Sequence, residues 1–223
     1  MNSLNTYIDH TLLKAIAIEQ DIINLCNEAK KHKFFSVCVN SCYVSLAKTQ
    51  LNNSDVKVCS VIGFPLGAMS TKAKVEETKQ ALKDGADEID MVINVGFLKS
   101  KKFDAVWQDI EAVKQVMPNN ILKVILETCY LEEIEIIKAS ELAINSGADF
   151  IKTSTGFGTG GATIHDVEIM KSVSQKCNVK IKASGGIRDT ETAKAYIEAG
   201  AERIGTSNGI AIVTGQKAEE GNY

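Results

Sequence analysis

Short apolar segments alternate with longer amphipathic segments along the whole of this chain. The pattern predicts eight strands, each followed by a helix, with about 25–30 residues from one strand to the next. Strands that are separated by helices pair in parallel, because each crossover helix returns the chain to the same edge of the sheet. The predicted strands are Tyr7–Asp9, Phe35–Val39, Lys57–Ile62, Glu88–Val92, Leu122–Glu127, Phe150–Lys152, Lys180–Lys182 and Arg203–Gly205.

A short turn motif recurs three times and indicates how the strands are arranged. Residues 85–87 and 147–149 read Gly-Ala-Asp, and residues 200–202 read Gly-Ala-Glu, each directly before a predicted strand. The equal spacing puts three residues at matching positions on strands four, six and eight: Asp90, Lys152 and Gly205. Alternate strands fill each interior layer of a (β/α)8 TIM barrel, so we predict that α/β fold, with residues 1–223 as a single catalytic domain. A doubly wound sheet is the rival, but no Gly-x-Gly-x-x-Gly follows the first strand.

The composition excludes several classes of function. A net charge of -3 in 223 residues argues against nucleic acid or an anionic membrane as a partner. The chain has no apolar run near the ~18 residues that span a bilayer, and residues 1–5, Met-Asn-Ser-Leu-Asn, lack the apolar core of a signal peptide. None of the six cysteines forms a Cys-x-x-Cys pair, so we expect reduced cysteines in a cytoplasmic protein. The three histidines lack ligand spacing, and we expect neither a metal nor a cofactor.

Two lysines, Lys152 and Lys182, end apolar strands and run directly into turns rich in Ser, Thr and Gly. A second ammonium group nearby makes protonation of the first costly, which favours a neutral amine that attacks aldehydes and ketones. The carboxyl ends of the strands would bring these lysines together with the carboxylates Asp9, Asp90 and Glu127. The sequence leaves open a structural alternative, in which Lys152 only forms an ion pair with Asp90 or Glu127.

The turns after strands seven and eight predict a phosphate site. Ser184-Gly185-Gly186 follows strand seven, and Gly205-Thr206-Ser207-Asn208 follows strand eight and leads into the last helix. Glycines let backbone N–H groups approach an anion, and many barrels bind phosphate at this position. Residues 153–156, which follow strand six, offer further donors.

Several segments in the same order resemble one family, the deoxyribose-phosphate aldolases, which are class I aldolases built on a (β/α)8 barrel. The resemblance extends over nearly the whole chain. It is most specific at residues 7–13 (Tyr-Ile-Asp-His-Thr-Leu-Leu), 61–67 (Val-Ile-Gly-Phe-Pro-Leu-Gly), 88–94 (Glu-Ile-Asp-Met-Val-Ile-Asn), 150–157 (Phe-Ile-Lys-Thr-Ser-Thr-Gly-Phe) and 182–188 (Lys-Ala-Ser-Gly-Gly-Ile-Arg).

This resemblance implies specific roles for the residues that match the family. Lys152 corresponds to the Schiff-base lysine, Lys182 to a second lysine of the site, and Asp90 to the residue that transfers protons. Tyr223 corresponds to a terminal tyrosine near the substrate, although residues 214–220 match the family poorly. The residues that match positions near the sugar phosphate are Gly156, Gly185, Gly186, Ser207 and Asn208, and the turn from Gly205 adjoins them.

The resemblance implies reversible cleavage of 2-deoxy-D-ribose 5-phosphate to acetaldehyde and D-glyceraldehyde 3-phosphate. It also implies a homo-oligomer, either a dimer or a larger assembly such as a tetramer. Three other functions fit the residues alone. They are a transaldolase or ketose-phosphate aldolase, a phosphosugar isomerase or epimerase without an imine, and a barrel that binds a sugar phosphate without turnover.

Overall fold

Eight parallel strands close into a barrel in the computed structural model, which describes residues 3–216. The strands are β1 Ile8–Leu12, β2 Ser36–Val39, β3 Lys57–Ile62, β4 Glu88–Val92, β5 Ile121–Ile125, β6 Phe150–Lys152, β7 Lys180–Ser184 and β8 Arg203–Thr206. They pair in chain order, and β8 pairs with β1, where Ile204 lies opposite Ile8. The predicted (β/α)8 barrel is therefore confirmed.

The helices surround the barrel and connect successive strands. They are α1 Glu19–His32, α2 Val44–Gln50, α3 Thr71–Lys83, α4 Val95–Lys99, α5 Phe103–Gln115, α6 Glu133–Asn145, α7 Ile164–Ser174, α8 Thr190–Ala199 and α9 Gly209–Thr214. The sequence did not predict α4, because five residues are too few to show a helical period. Its cap is the Asn94 side chain, which accepts a hydrogen bond of 3.0 Å from the Phe97 N–H. No helix in residues 3–216 combines the length and apolar character needed to cross a bilayer.

The recurring Gly-Ala-acid turns have the same structure at each position. Their glycines have φ values of 105°, 86° and 120°, which a side chain would make costly. In all three turns the backbone N–H of the acid donates to the preceding strand, and the side chains of the two aspartates bond to that strand as well. Asp87 accepts a hydrogen bond of 2.9 Å from the Val58 N–H, and Asp149 accepts one of 2.8 Å from the Leu122 N–H. The motif thus ends a helix and sets the register of the next strand.

The two faces of the strands carry different residues. Ile89, Ile151 and Ile204 face outward and pack in the apolar core between strands and helices. The inward faces form layers to which alternate strands contribute, and the strand register defines their members. From the amino ends upward, the layers are Ser36, Glu88, Phe150 and Arg203; then Asp9, Cys59, Lys123 and Lys182; then Cys38, Asp90, Lys152 and Gly205.

A buried lysine of α3 packs against the start of the loop that follows β3. Lys74 is fully buried, and its Nζ donates to the Val92 carbonyl at 2.8 Å and to Asp109 Oδ2 at 2.5 Å. A Cβ on Gly63 would lie 2.9 Å from Lys74 Cε, so the glycine provides the space for this side chain. The buried lysine therefore joins α3 to Asp109 of α5 and to Val92 at the end of β4.

Candidate active site

Lys152, Lys182 and Asp90 meet inside the barrel near the carboxyl ends of β6, β7 and β4. Lys152 Nζ lies 2.7 Å from Asp90 Oδ2, and Lys182 Nζ lies 2.9 Å from the same oxygen. Asp90 and Lys182 are fully buried, whereas Lys152 is 3% exposed. The two amines therefore share one carboxylate oxygen, and Lys152 is the amine nearer the mouth of the barrel.

A second layer of charges supports this group from the amino side. Lys182 Nζ also lies 2.5 Å from Asp9 Oδ2, and Arg203 Nη1 lies 2.6 Å from Asp9 Oδ1. Arg203 Nη2 continues to Glu88 Oε1 at 3.0 Å. Lys123 closes the network, because its Nζ lies 2.6 Å from Glu88 Oε2. We name the seven connected side chains the interior ion cluster: Asp9, Glu88, Asp90, Lys123, Lys152, Lys182 and Arg203.

Sequence reasoning placed Asp9 at the site but missed Lys123, Glu88 and Arg203. Strand alternation could have identified Glu88, because Glu88 and Asp90 lie on the same face of β4. Lys123 pairs with Asp90 in the register of β4 and β5, and its Nζ lies 2.9 Å from Asp90 Oδ1. The sequence does not specify this register, because it depends on how β4 and β5 pair in the closed barrel. Lys123 was therefore missed.

The interior ion cluster controls the charge of its members. Burial opposes the charge on Asp90, but Lys123, Lys152 and Lys182 hold the pKa of this carboxyl well below its usual range. Burial likewise opposes the ammonium form of Lys182, but Asp9 and Asp90 raise its pKa above the ordinary value. Arg203 and Lys182 lower the pKa of Asp9 in spite of its burial. Asp90 and Lys182 are therefore charged at neutral pH.

This arrangement changes the electrostatic picture that the sequence suggested. The sequence argument considered repulsion between two ammonium groups, but Asp90 lies between Lys152 and Lys182 and offsets it. Among the described residues, the interior ion cluster contains four cationic side chains and three carboxylates. Loss of one proton from the cluster would balance its charge. That a neighbouring cation makes Lys152 neutral remains a prediction.

Lys180 provides an internal comparison, because it lies two residues before Lys182 on β7 and its position faces the same side of the strand. It is exposed at the amino end of β7, and its Nζ lies 3.8 Å from Glu202 Oε2. Lys180 therefore extends out of the bottom of the barrel, and only the upper of the two lysines on β7 enters the site.

Glu127 occupies an unusual backbone conformation beside the site. It lies just beyond β5 with φ 58° and ψ 62°, in the left-handed region that non-glycine residues rarely adopt. Its buried carboxylate accepts a hydrogen bond of 3.0 Å from the Thr155 N–H and a short one from the Thr155 hydroxyl. Glu127 does not contact Lys152 in the described contacts, so it orients the turn after β6 instead of forming the ion pair that the sequence left open.

Two hydroxyl side chains connect the turns after β6, β7 and β8. Ser184 Oγ donates to the Ser154 carbonyl at 2.6 Å, which joins the first two turns. Thr206 Oγ1 donates to the Ile187 carbonyl at 2.7 Å and accepts from the Asn208 N–H at 2.9 Å, which joins the last two. The predicted phosphate-binding turns therefore form one continuous rim, although the sequence analysis assigned no role to Thr206.

The structure places the other predicted residues as follows. Gly156, Gly185 and Gly186 have φ values of 88°, 87° and 81°, and a Cβ on Gly186 would meet open space. Ser207 and Asn208 are half-buried on the same rim, where the Asn208 side chain donates to Ser207 Oγ at 3.4 Å. Gly205 has a further function within the barrel, because a Cβ there would lie 3.0 Å from the Cε atom of a lysine of the site, Lys182. Tyr223 lies outside the described residues.

Fold and site together define the class of this protein, a (β/α)8-barrel aldolase whose lysines and aspartate converge near the carboxyl ends of the strands. The model of the DeoC/LacD family aldolases matches residues 4–215. The chain belongs to this family, which confirms the resemblance found in the sequence.

Relatives of known name agree over nearly the full chain. The deoxyribose-phosphate aldolase of Finegoldia magna is 59% identical over 213 residues, covering 95% of this chain and 99% of the relative. The deoxyribose-phosphate aldolase of Clostridium novyi is 55% identical over 222 residues, covering 99% of this chain and 100% of the relative. A solved structure of the Aeropyrum pernix deoxyribose phosphate aldolase, described as tetrameric, superposes with a TM-score of 0.88. It is 33% identical and covers 95% of this chain and 89% of that one.

Proposed function

We propose that the protein is a class I aldolase that reversibly cleaves 2-deoxy-D-ribose 5-phosphate to acetaldehyde and D-glyceraldehyde 3-phosphate, with Lys152 as the Schiff-base residue. One observation carries the assignment of the site: two buried lysines share Asp90 Oδ2 near the mouth of the barrel. The names of the relatives, which are deoxyribose-phosphate aldolases at 59% and 55% identity, support the choice of substrate.

Lys152 is the better nucleophile of the buried lysines because of its contacts. It contacts one carboxylate, whereas Lys123 and Lys182 each contact two. It is also nearest the mouth of the barrel, at 3% exposure. Since the interior ion cluster has one cation in excess, a neutral Lys152 leaves it electrically balanced. The free amine then attacks a carbonyl carbon.

The proposed reaction proceeds through an iminium ion. Lys152 attacks the C1 aldehyde of the open-chain sugar, and loss of water gives an iminium that accepts electrons from C2. Removal of the proton from the C3 hydroxyl then breaks the C2–C3 bond. The enamine that remains takes up a proton at C2, and hydrolysis releases acetaldehyde. Asp90 and Lys182 move these protons, with a water molecule as the relay, because one oxygen of Asp90 contacts both amines.

The rim formed by the turns after β6, β7 and β8 is the proposed site for the phosphate group. Glycines let backbone N–H groups approach an anion, and the bonds of Ser184 and Thr206 hold the turns in fixed relative positions. Binding at the rim fixes the far end of the sugar, so its contribution is positioning and not bond chemistry. The proposed contacts are Gly156, Gly185, Gly186, Gly205, Ser207 and Asn208. The roles of Asp9 and Tyr223 near the substrate belong to the same proposal.

Reductive trapping tests the assignment of the nucleophile. Borohydride added with acetaldehyde should fix an ethyl group on Lys152, which peptide mapping would locate. Lys152→Ala should abolish both trapping and turnover, while the matched control Lys180→Ala, which removes an exposed lysine, should retain both. An adduct on Lys182 would reverse the assignment. Absence of any adduct during turnover would favour an isomerase or epimerase without an imine.

The remaining proposals concern the protein as a whole. We infer that residues 1–223 act as one catalytic domain, in the cytoplasm and as a homo-oligomer, without nucleic acid or membrane partners. The tetramer described for the Aeropyrum pernix relative supports the oligomer. Sedimentation equilibrium at several protein concentrations would test it, and a monomer throughout would refute it.

A further inference from the structure

Two cysteines with no role in the proposed reaction stand beside Asp90 inside the barrel. Cys38 on β2 and Cys59 on β3 are direct neighbours in the strand register, and both are fully buried. Cys59 Sγ lies 3.1 Å from Asp90 Oδ1. The two sulfur atoms and a carboxylate oxygen of Asp90 all lie within 4.8 Å of one another. Apolar side chains would be sufficient for packing at this position. The convergence of three possible metal ligands therefore points to a function in binding.

We propose that Cys38, Cys59 and Asp90 form a binding site for Zn²⁺, and that its occupation inhibits the enzyme. Two thiolates and a carboxylate are ligands that suit this ion. Zn–S bonds of about 2.3 Å in tetrahedral geometry place two sulfur atoms roughly 3.8 Å apart. The present spacing therefore needs a movement on the order of 1 Å at most. The fourth ligand would be a water molecule.

The charge of the surroundings does not oppose this site, although Lys123, Lys152 and Lys182 are near. Zn²⁺ binding breaks two S–H bonds, forms two Zn–S bonds and releases two protons to solvent. Two positive charges enter and two leave, so the net charge of the interior is unchanged. An uncompensated dication would be costly among these amines, but this exchange avoids that cost.

The surroundings of the sulfur atoms favour a soft ligand set. Leu13 and Val61 pack against the two cysteines, together with the partly buried Phe64, in an apolar cluster separate from the main core. Such a shell limits water at the sulfur atoms and strengthens the bonds of a metal to them. Cys59 Sγ is also 3.4 Å from Lys123 Nζ, which could donate to a thiolate that has lost its proton.

Occupation would take Asp90 out of the proposed reaction. Asp90 Oδ1 accepts from Cys59 and Lys123, while Oδ2 contacts the two lysines of the site. A metal on Oδ1 would fix the orientation of the carboxylate and draw its electrons away from the proton transfer. This inhibitory consequence rests on the proposed function, whereas binding itself does not.

Cd²⁺ is the direct probe, because cadmium–thiolate bonds absorb in the ultraviolet. The titration uses the full chain with the three less buried cysteines replaced by serine, Cys42, Cys129 and Cys177. We expect absorbance to saturate at one Cd²⁺ per chain. Cys59→Ser and Cys38→Ser should each lower the absorbance by about half and weaken binding at least tenfold. Cys26→Ser, which removes a buried thiol outside the barrel interior, should leave the titration unchanged.

Two further measurements complete the test. Asp90→Asn should weaken Cd²⁺ binding at least tenfold and keep the absorbance at saturation, because both thiolates remain. One equivalent of ZnCl2 should inhibit turnover of the protein in which only Cys42, Cys129 and Cys177 are replaced by serine, and EDTA should restore the turnover. Absence of the absorbance, or its persistence in both Cys38→Ser and Cys59→Ser, would overturn the site. Stoichiometric binding without inhibition would keep the site but refute the proposal that its occupation inhibits turnover. Circular dichroism would confirm that each variant is folded.

Discussion

Asp9 offers the strongest test of the interior ion cluster, through the variant Asp9→Asn. Its buried carboxylate lies 2.5 Å from Lys182 Nζ and 2.6 Å from Arg203 Nη1. Removing one partner of a buried ion pair costs about 3–5 kcal/mol, because the other charge is left without compensation. Lys182 keeps Asp90, and Arg203 keeps Glu88, so we expect the lower end of this range, ~3 kcal/mol of unfolding free energy.

Urea unfolding at neutral pH measures this loss, with an unchanged slope as evidence that the variant unfolds in the same way. Ser36→Ala is the matched control. The variant removes a neutral hydroxyl that donates to Asp9 Oδ1 at 2.7 Å, the oxygen that Arg203 also contacts. Its loss should lower the unfolding free energy by only about 1 kcal/mol. An Asp9→Asn protein that is no less stable than Ser36→Ala would contradict the electrostatic reasoning.

The pH dependence gives the same prediction a second, independent readout. The pKa of Asp9 is lowered in the folded protein, so its contribution to stability is complete above the unfolded pKa of about 3.9. That contribution is lost as the pH falls toward the lower, folded pKa. The difference in unfolding free energy between the native chain and Asp9→Asn should therefore narrow below about pH 4. A difference that stays constant in acid would refute the assignment of the stabilisation to this carboxylate.

Two other substitutions test separate parts of the structure. Lys182→Leu should lower turnover at least a hundredfold and move the pH optimum upward, because Asp90 would then attract the proton of Lys152 without competition from Lys182. An unchanged pH–rate profile would argue against this coupling of the two lysines through Asp90. Lys74→Met should cost about 3–5 kcal/mol in urea unfolding because it leaves Asp109 buried without its cation. The double variant Lys74→Met/Asp109→Leu should recover most of that loss, and equal stability of single and double variants would count against the ion pair.

The repeated turn made the fold predictable from the sequence. Each Gly-Ala-acid turn combines a glycine with positive φ and an acid whose backbone N–H donates to the preceding strand, so similar residues produce similar geometry. The same spacing correctly placed Asp90 and Lys152 in one interior layer. Local chemistry alone determines these features, so the sequence is sufficient to predict them.

The missed residues depend on contacts between distant parts of the chain. Arg203 reaches Asp9, at the opposite end of the sequence, only because β8 closes against β1. Glu127 was expected at the end of a strand, but β5 ends at Ile125 and the backbone turns into the left-handed region. The hydrogen bonds to Thr155 support that conformation, and strand alternation contains no information about it.

The depth of the interior ion cluster has a consequence for behaviour in salt. Mobile ions screen charges that are exposed to solvent, with a Debye length of about 8 Å at physiological ionic strength, but they do not enter a packed barrel. Added potassium chloride should therefore leave proton transfer among Lys152, Asp90 and Lys182 unaltered, while it weakens the attraction of the rim for an anionic substrate. Ionic strength would then separate capture from chemistry in this enzyme, raising KM and sparing kcat.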